Sequence, residues 1–218
     1  MTRTSGAAER GPSSEGFSAA AASVTRVAVL GLYSSGSTAT AGVLHHLGAR
    51  MGKEFWGDFY EPRWLSDQLR GWWSQSLARE VVPAPERIRV LRRWLLDMSA
   101  DGCSFVAAKH PLLTLCGDDL LEAWGPETKF LWTHRPLEES IASVARRGWF
   151  SGHHVELQQA LWQTANRFFK EREHLRVEFA SMLASPKREV DRIIEFVGVD
   201  VRRRARRRAI ASIRRDRR

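Results

Sequence analysis

Cysteines and long apolar runs are both scarce in this 218-residue sequence. Only Cys103 and Cys116 are present, which is too few for a disulfide scaffold. Neither lies at a spacing typical of zinc ligands, so the sequence predicts no metal site of that kind. We expect both side chains to be reduced thiols packed among other residues.

No apolar run is long enough to form a membrane-spanning helix. The first 22 residues are rich in Ala, Ser and Gly and carry scattered charges, without the apolar segment of a secretory signal. They predict a disordered leader. Together, these absences predict a cytoplasmic protein with no membrane partner.

Positive charge is concentrated at the C-terminus. The formal net charge is +9, and residues 201–218 contain ten Arg and one Asp, so the rest of the chain is electrically balanced. Ala205, Ala209 and Ile213 recur at helical spacing, which predicts a final helix or tail whose Arg side chains lie in water. An anion-binding tail is the alternative, with nucleic acid as a less favoured partner.

Apolar runs alternate with helix-like segments over residues 23–200, which we interpret as one domain. This alternation predicts an α/β fold of three layers, with a mainly parallel central sheet flanked by helices. The predicted strands are 27–30, 104–108, 129–133 and 174–179. The clearest predicted helices are 38–47 and 186–196, which Gly48 and Gly198 are expected to end.

Tryptophan is concentrated in residues 54–100, which contain five of the nine in the chain. The simple interpretation is a helical layer that packs on the sheet. The alternative is that some of these rings form a pocket or a lid for a substrate.

A Gly- and Ser-rich loop at residues 31–38 lies between the first strand and the first helix. Its backbone N–H groups would converge at the positive end of that helix, a geometry that binds phosphate or sulfate. The spacing matches the G-x-x-x-x-G-K-[ST] phosphate-binding pattern except that Ser37 replaces the Lys. A tight turn without a ligand and a nucleotide kinase remain alternatives, although the missing Lys counts against the kinase. The candidate anion ligands are Tyr33, Ser34, Ser35, Gly36, Ser37 and Thr38.

A second basic motif follows the third predicted strand. Arg135 ends the strand, Pro136 begins a helix, and Ser140 and Ser143 lie three positions apart on one helix face. A guanidinium beside a helical hydroxyl can hold a second phosphate. The alternative is a surface Arg that pairs with Glu138 or Glu139.

These segments together resemble the bacterial sulfotransferases that use 3′-phosphoadenosine 5′-phosphosulfate (PAPS). In that family an Arg and a Ser eight positions later hold the 3′-phosphate, as Arg135 and Ser143 would here. Lys109-His110-Pro111 is similar to a Lys-Asp-Pro-Arg motif of many members. The resemblance covers most of residues 25–200 and implies a P-loop-like fold, PAPS as co-substrate, no metal, and a small-molecule or glycan acceptor.

The loop of this sequence departs from the family pattern at one position. Family loops carry a basic residue where this sequence has Ser34, so a charge on the transferred group is missing there. Lys109, at the end of the second strand, would supply it, because ligands bind outside the carboxyl ends of parallel strands. Without such a charge, the chain would be a catalytically inactive nucleotide binder.

The catalytic base has several candidates. His110 is a candidate because an unperturbed imidazole titrates near the operating pH, and it follows Lys109 directly. Glu61 is its main rival, because related branches supply a Glu after the first helix. Glu54 and His45 are further alternatives. The clustered Trp residues favour an aromatic or sugar acceptor.

Overall fold

The computed structural model describes residues 24–74 and 80–215. The predicted leader, residues 1–22, lies outside this part of the chain. No helix among the described residues is long and apolar enough to cross a membrane.

Four parallel strands form the central sheet of the described chain, in the order β2-β1-β3-β4. The strands are β1 (Thr25–Gly31), β2 (Phe105–Lys109), β3 (Lys129–His134) and β4 (Leu175–Glu178). Val29 pairs with both Lys109 and Leu131, so the carboxyl ends of β1, β2 and β3 meet at one edge. The predicted α/β fold with a parallel sheet is confirmed.

Helices cover both faces of the sheet. Along β1, Ala28 and Leu30 pack into one apolar core, whereas Val27 and Val29 pack into the other, as the alternation of a strand requires. The helices are α1 (Ser37–Leu47), α2 (Arg63–Gly71), α3 (Ala84–Ser99), α4 (Gly117–Trp124), α5 (Leu137–Arg146), α6 (His154–Phe169), α7 (Phe179–Ala184), α8 (Pro186–Val197) and α9 (Arg203–Arg215).

Glycine ends two helices where the sequence predicts it. Gly48 follows α1 with a φ of 107°, and its N–H donates to the carbonyl of His45. Gly198 follows α8 with a φ of 73°. Such left-handed conformations are readily adopted by Gly, so each residue stops its helix and turns the chain.

The basic final helix is docked against the domain. Ala209 and Ile213 of α9 are buried with residues of α1 and α8 in one apolar core. Arg206 makes two hydrogen bonds of 2.6 Å to Asp191 of α8. Arg203, Arg204, Arg207 and Arg208 are exposed, as predicted from the helical spacing.

The Trp-rich segment serves two purposes. Trp72, Trp73 and Trp94 are buried in the core on the α3 side of the sheet. Trp64 is exposed, and Trp56 lies half-buried in the wall of a cavity. Three of these rings therefore form the packed layer, and Trp56 lines the cavity.

At Gly31, near that cavity, the backbones of β1 and β3 approach each other closely. Its φ is +150°, and a Cβ there would lie 2.3 Å from the Thr133 hydroxyl and 2.5 Å from the Thr133 carbonyl oxygen. β1 and β3 can approach this closely only because residue 31 has no side chain.

We predict that Gly31→Ala lowers the free energy of unfolding by about 3 kcal/mol, because a Cβ must push β3 away from β1. Gly71→Ala is the matched control, since Gly71 is helical and nothing lies within 4 Å of an added Cβ there. Its expected effect is neutral or slightly stabilising. Chemical denaturation of both variants measures the difference, and equal stabilities would contradict the close approach.

Candidate active site

A cavity of about 850 Å³ opens at the carboxyl ends of β1, β2 and β3. That size is within the usual range of small-molecule sites, about 300–1,000 Å³. Its wall combines the loop after β1, the end of β2, Arg135 and Ser143, and residues 56–59, 61 and 147–150. The location is where ligands bind in open parallel sheets.

The positive end of α1 faces this cavity. Gly36 precedes the helix with a φ of 90°, and Gly36, Ser37, Thr38 and Ala39 all line the wall. The first N–H groups of a helix have no carbonyl partner within the helix. They present a cluster of donors and a partial positive charge to an anion in the cavity.

Buried polar side chains hold the loop in place. The Gln158 amide accepts from the Tyr33 N–H at 3.1 Å and donates to the Tyr33 carbonyl at 2.9 Å. The Ser140 hydroxyl donates to the same carbonyl at 2.6 Å. The Thr114 hydroxyl accepts from the Gly31 N–H and donates to the Gly31 carbonyl. The backbone conformation of the loop is thus fixed without a ligand.

Ser35 has a different position from the one expected of an anion ligand. Its hydroxyl is fully buried, donates to the Leu32 carbonyl at 2.7 Å, and lies 2.8 Å from the Thr133 hydroxyl. Ser35 is absent from the described residues that line the cavity. Its side chain therefore ties the loop to β3 and is not directed at a ligand.

Ser34, Ser37 and Thr38 line the cavity, and Tyr33 lines it as well. The Tyr33 ring lies 4.7 Å from that of Phe150 and edge-on to that of His110. Burial, together with the charge of Glu61, raises the pKa of the Tyr33 phenol well above its usual value. Tyr33 is therefore a neutral hydroxyl at physiological pH.

A buried ion pair lies at the centre of the cavity wall. The Lys109 ammonium is 2.7 Å from Glu61 Oε1, with the two residues 2% and 8% exposed. The same ammonium is 3.2 Å from the Phe59 carbonyl and 3.4 Å from the Thr38 hydroxyl. Lys109 thus brings a positive charge from β2 to the first turn of α1, the place where Ser34 and Ser37 provide none.

His110 is turned away from the cavity. Lys109 and Pro111 line the described wall, whereas His110 is 1% exposed and does not. Its Nδ1 accepts from the Leu112 N–H at 3.1 Å, which leaves the proton of the neutral ring on Nε2. Burial lowers the pKa of His110 well below its usual value, and the charges of Lys109 and Arg70 act in the same direction.

The other two base candidates lie elsewhere. Glu54 is exposed and pairs with Arg63 at 3.6 Å. His45 contacts the rings of Tyr60 and Phe55, and burial lowers its pKa. Neither residue is part of the described cavity wall.

Arg135 and Ser143 both line the same cavity. Arg135 donates to the Ser34 carbonyl at 3.2 Å, and its guanidinium lies 5.2 Å from the centre of the Phe179 ring. It also bonds Glu139 at 3.0 Å, so the surface pairing considered from the sequence exists as well. That exposed pair is weak enough for an anion to compete with it.

Several wall residues were not predicted from the sequence. Arg70 on α2 and Arg147, Trp149 and Phe150 after α5 line the cavity. No local motif marks them, since each reaches the site only through the packing of distant segments. Within the described residues, no group of three or more His, Cys, Asp or Glu is arranged to hold a metal ion.

Solved structures with the same architecture are bacterial sulfotransferases. Sulfotransferase STF9 from Mycobacterium avium aligns with a TM-score of 0.60 at 13% identity, over 90% of this chain and 69% of that one. Sulfotransferase STF1 from Mycobacterium tuberculosis H37Rv aligns with a TM-score of 0.54 at 16% identity, over 85% and 71%. At these identities, the likeness shows the fold alone.

A comparison of sequences extends the likeness beyond the fold. No curated protein sequence matches the chain significantly. The model of the sulfotransferase family, however, matches residues 26–203, which include both phosphate-binding candidates and the Lys109–Glu61 pair. With that match over most of its length, the chain belongs to the sulfotransferase family.

Proposed function

We propose that this protein transfers a sulfuryl group from PAPS to a hydroxyl of a small-molecule or glycan acceptor. The observation that carries the proposal is the buried Lys109–Glu61 pair, which joins a cation and a carboxylate at the first turn of α1. Membership of the sulfotransferase family supports the reaction type. The donor and the acceptor class are part of the proposal.

The charges of the cavity fit a nucleotide with two separate anionic groups. The N–H groups of Ser37 and Thr38, with their hydroxyls, would hold the 5′-phosphosulfate. Arg135 and Ser143 would hold the 3′-phosphate, through a guanidinium fork and a hydroxyl. Both sets line one cavity, so one ligand can contact them together.

In this proposal, Lys109 supplies the positive charge that the loop lacks because Ser34 replaces a basic residue. Sulfuryl transfer breaks the bond between sulfur and the bridging oxygen of the 5′-phosphate, and negative charge builds on that oxygen. An ammonium already fixed beside α1 stabilises this charge without reorganising. This arrangement favours an active enzyme over a catalytically inactive nucleotide binder.

Glu61 is the base in this proposal, and His110 is not. As the acceptor oxygen bonds to sulfur, its proton moves to the Glu61 carboxylate, which lines the cavity. His110 is buried behind that carboxylate, with its Nε2 3.7 Å from Glu61 Oε2. A neutral ring that presents an N–H to Glu61 cannot accept a proton at that atom. Lys109 and Glu61 are then the catalytic pair, and His110 is a positioning residue.

We expect Glu61→Gln to lower kcat by about a hundredfold or more, because the amide keeps the shape of the side chain but cannot take a proton. Transfer from PAPS to a simple phenol such as 2-naphthol measures kcat. Binding of 3′-phosphoadenosine 5′-phosphate (PAP), measured by calorimetry, shows that the donor site survives.

Glu54→Gln is the matched control, since Glu54 is exposed and outside the cavity wall. It should transfer at the rate of the unmodified protein. If His110→Asn lowers kcat by a hundredfold while Glu61→Gln does not, the base is assigned to the wrong residue.

Arg135→Ala should weaken PAP binding by about 2 kcal/mol, the loss expected for a charge-assisted contact to phosphate. Arg146→Ala is the matched control, because Arg146 is an exposed cation of the same segment that does not line the cavity. Calorimetric titration of PAP and of 5′-AMP separates the two phosphates. The assignment requires that Arg135→Ala weaken PAP more than 5′-AMP, and equal effects would contradict it.

A further inference from the structure

Aromatic rings surround the Lys109–Glu61 pair on the side that an acceptor would occupy. We define the acceptor wall as Tyr33, Trp56, Phe59, Trp149 and Phe150, all of which line the cavity. The Phe59 carbonyl accepts from Lys109, and its ring lies 6.0 Å from that of Trp149. The Tyr33 ring lies 4.7 Å from that of Phe150, in a tilted arrangement. A flat apolar body therefore fits between these rings and the carboxylate of Glu61.

Arg70 adds a positive charge to this wall. Its guanidinium carbon lies 4.9 Å from the centre of the Trp56 ring, and the residue lines the cavity. Arg70 is itself exposed, and it shares the cavity wall with Tyr33 and Glu61. Its charge acts on the pKa of both the Tyr33 phenol and the His110 imidazole. Among the described residues, no carboxylate forms an ion pair with Arg70.

The other cations of the cavity have different positions. Lys109 is paired with Glu61, and Arg135 with Glu139. Arg147 follows Ser143, a proposed ligand of the 3′-phosphate, by one helical turn, and its guanidinium also lies over Trp149 of the acceptor wall. Arg70 alone comes from α2, which carries none of the proposed donor ligands.

Asp58 is the acidic residue that could oppose this charge. It lines the cavity from the short helical turn Gly57–Phe59 and is exposed. No ion pair joins Asp58 to Arg70 within the described chain. Arg70 lies against Trp56 of the acceptor wall, so it is the positive charge that an acceptor beside Glu61 meets on this side of the cavity.

We propose that the acceptor is an aromatic alcohol that carries a carboxylate, with its hydroxyl at Glu61 and its carboxylate at Arg70. This inference rests on the proposed sulfuryl transfer and names the class of acceptor for the same site. The Trp56 ring holds the Arg70 guanidinium from one face and leaves its edge to bind the carboxylate.

Three ligands that share a 4-hydroxyphenyl group test the charge directly: 4-hydroxyphenylacetate, 4-hydroxyphenylacetamide and tyramine. Calorimetry measures the dissociation constant of each for the protein saturated with PAP, so that binding is read without turnover. We expect the acid to bind about tenfold more tightly than the amide, and the amine to bind most weakly.

Substitutions then assign the preference to one residue. Arg70→Gln should bring the ratio of the acid and amide dissociation constants close to one, and Arg70→Lys should keep most of the preference. Arg63→Gln is the matched control, since Arg63 lies over the same Trp56 ring at 5.1 Å but does not line the described cavity. It should keep the ratio of the unmodified protein.

The results distinguish a wrong acceptor class from a failure of the proposed sulfuryl transfer. If PAP binds but the amide or the amine is preferred, or if Arg70→Gln keeps the preference for the acid, the acceptor class is wrong and the donor site stands. If PAP does not bind, the donor site is wrong and this inference fails with it.

Discussion

The ion pair between Lys109 and Glu61 is the interaction on which the cavity depends. A buried ammonium or carboxylate is costly unless it is paired, so each side chain needs the other. Lys109 ends β2, whereas Glu61 lies in the segment between α1 and α2. Their contact therefore fixes that segment, with Phe59 and the short helical turn, against the sheet edge.

The loop after β1 is held in its conformation by hydrogen bonds from other segments of the chain. A chain that exposes several N–H groups to a cavity has few internal hydrogen bonds of its own. Gly31, Thr114, Ser140 and Gln158 provide the missing constraints from strand, turn and helix. Donors held in this way keep their directions before an anion arrives, which is what electrostatic stabilisation of a reacting group requires.

The sequence predicted those parts of the molecule that depend on local pattern. Apolar runs located the four strands, and glycines located the ends of α1 and α8, because both signals act over a few residues. The loop and Arg135, which both line the cavity, were singled out because each follows a strand. The inward position of Ser35 was not, since a hydroxyl in a loop can face the ligand or the protein with equal ease.

Long-range packing determined what the sequence could not show. Gln158 reaches Tyr33 across 125 positions, and a lone Gln in a helix carries no sign of that contact. Arg70 and Trp56 are likewise ordinary residues until the fold brings them to the cavity. His110 was favoured as a base because an unperturbed imidazole titrates near the operating pH and because it follows Lys109. That its ring accepts from the Leu112 N–H is visible only in the structure.

The central claim is that the cavity recognises a nucleotide with a 3′-phosphate beside a buried catalytic pair. Thermal unfolding in the presence of PAP, of 5′-AMP, or of ATP with magnesium tests it most directly. A ligand at 100 times its dissociation constant stabilises a protein by about 2.7 kcal/mol, which corresponds to a rise in Tm of about 5 °C or more here. The account predicts this rise with PAP and a smaller one with the other two ligands. A rise with ATP and magnesium alone, or no rise with PAP, would contradict it.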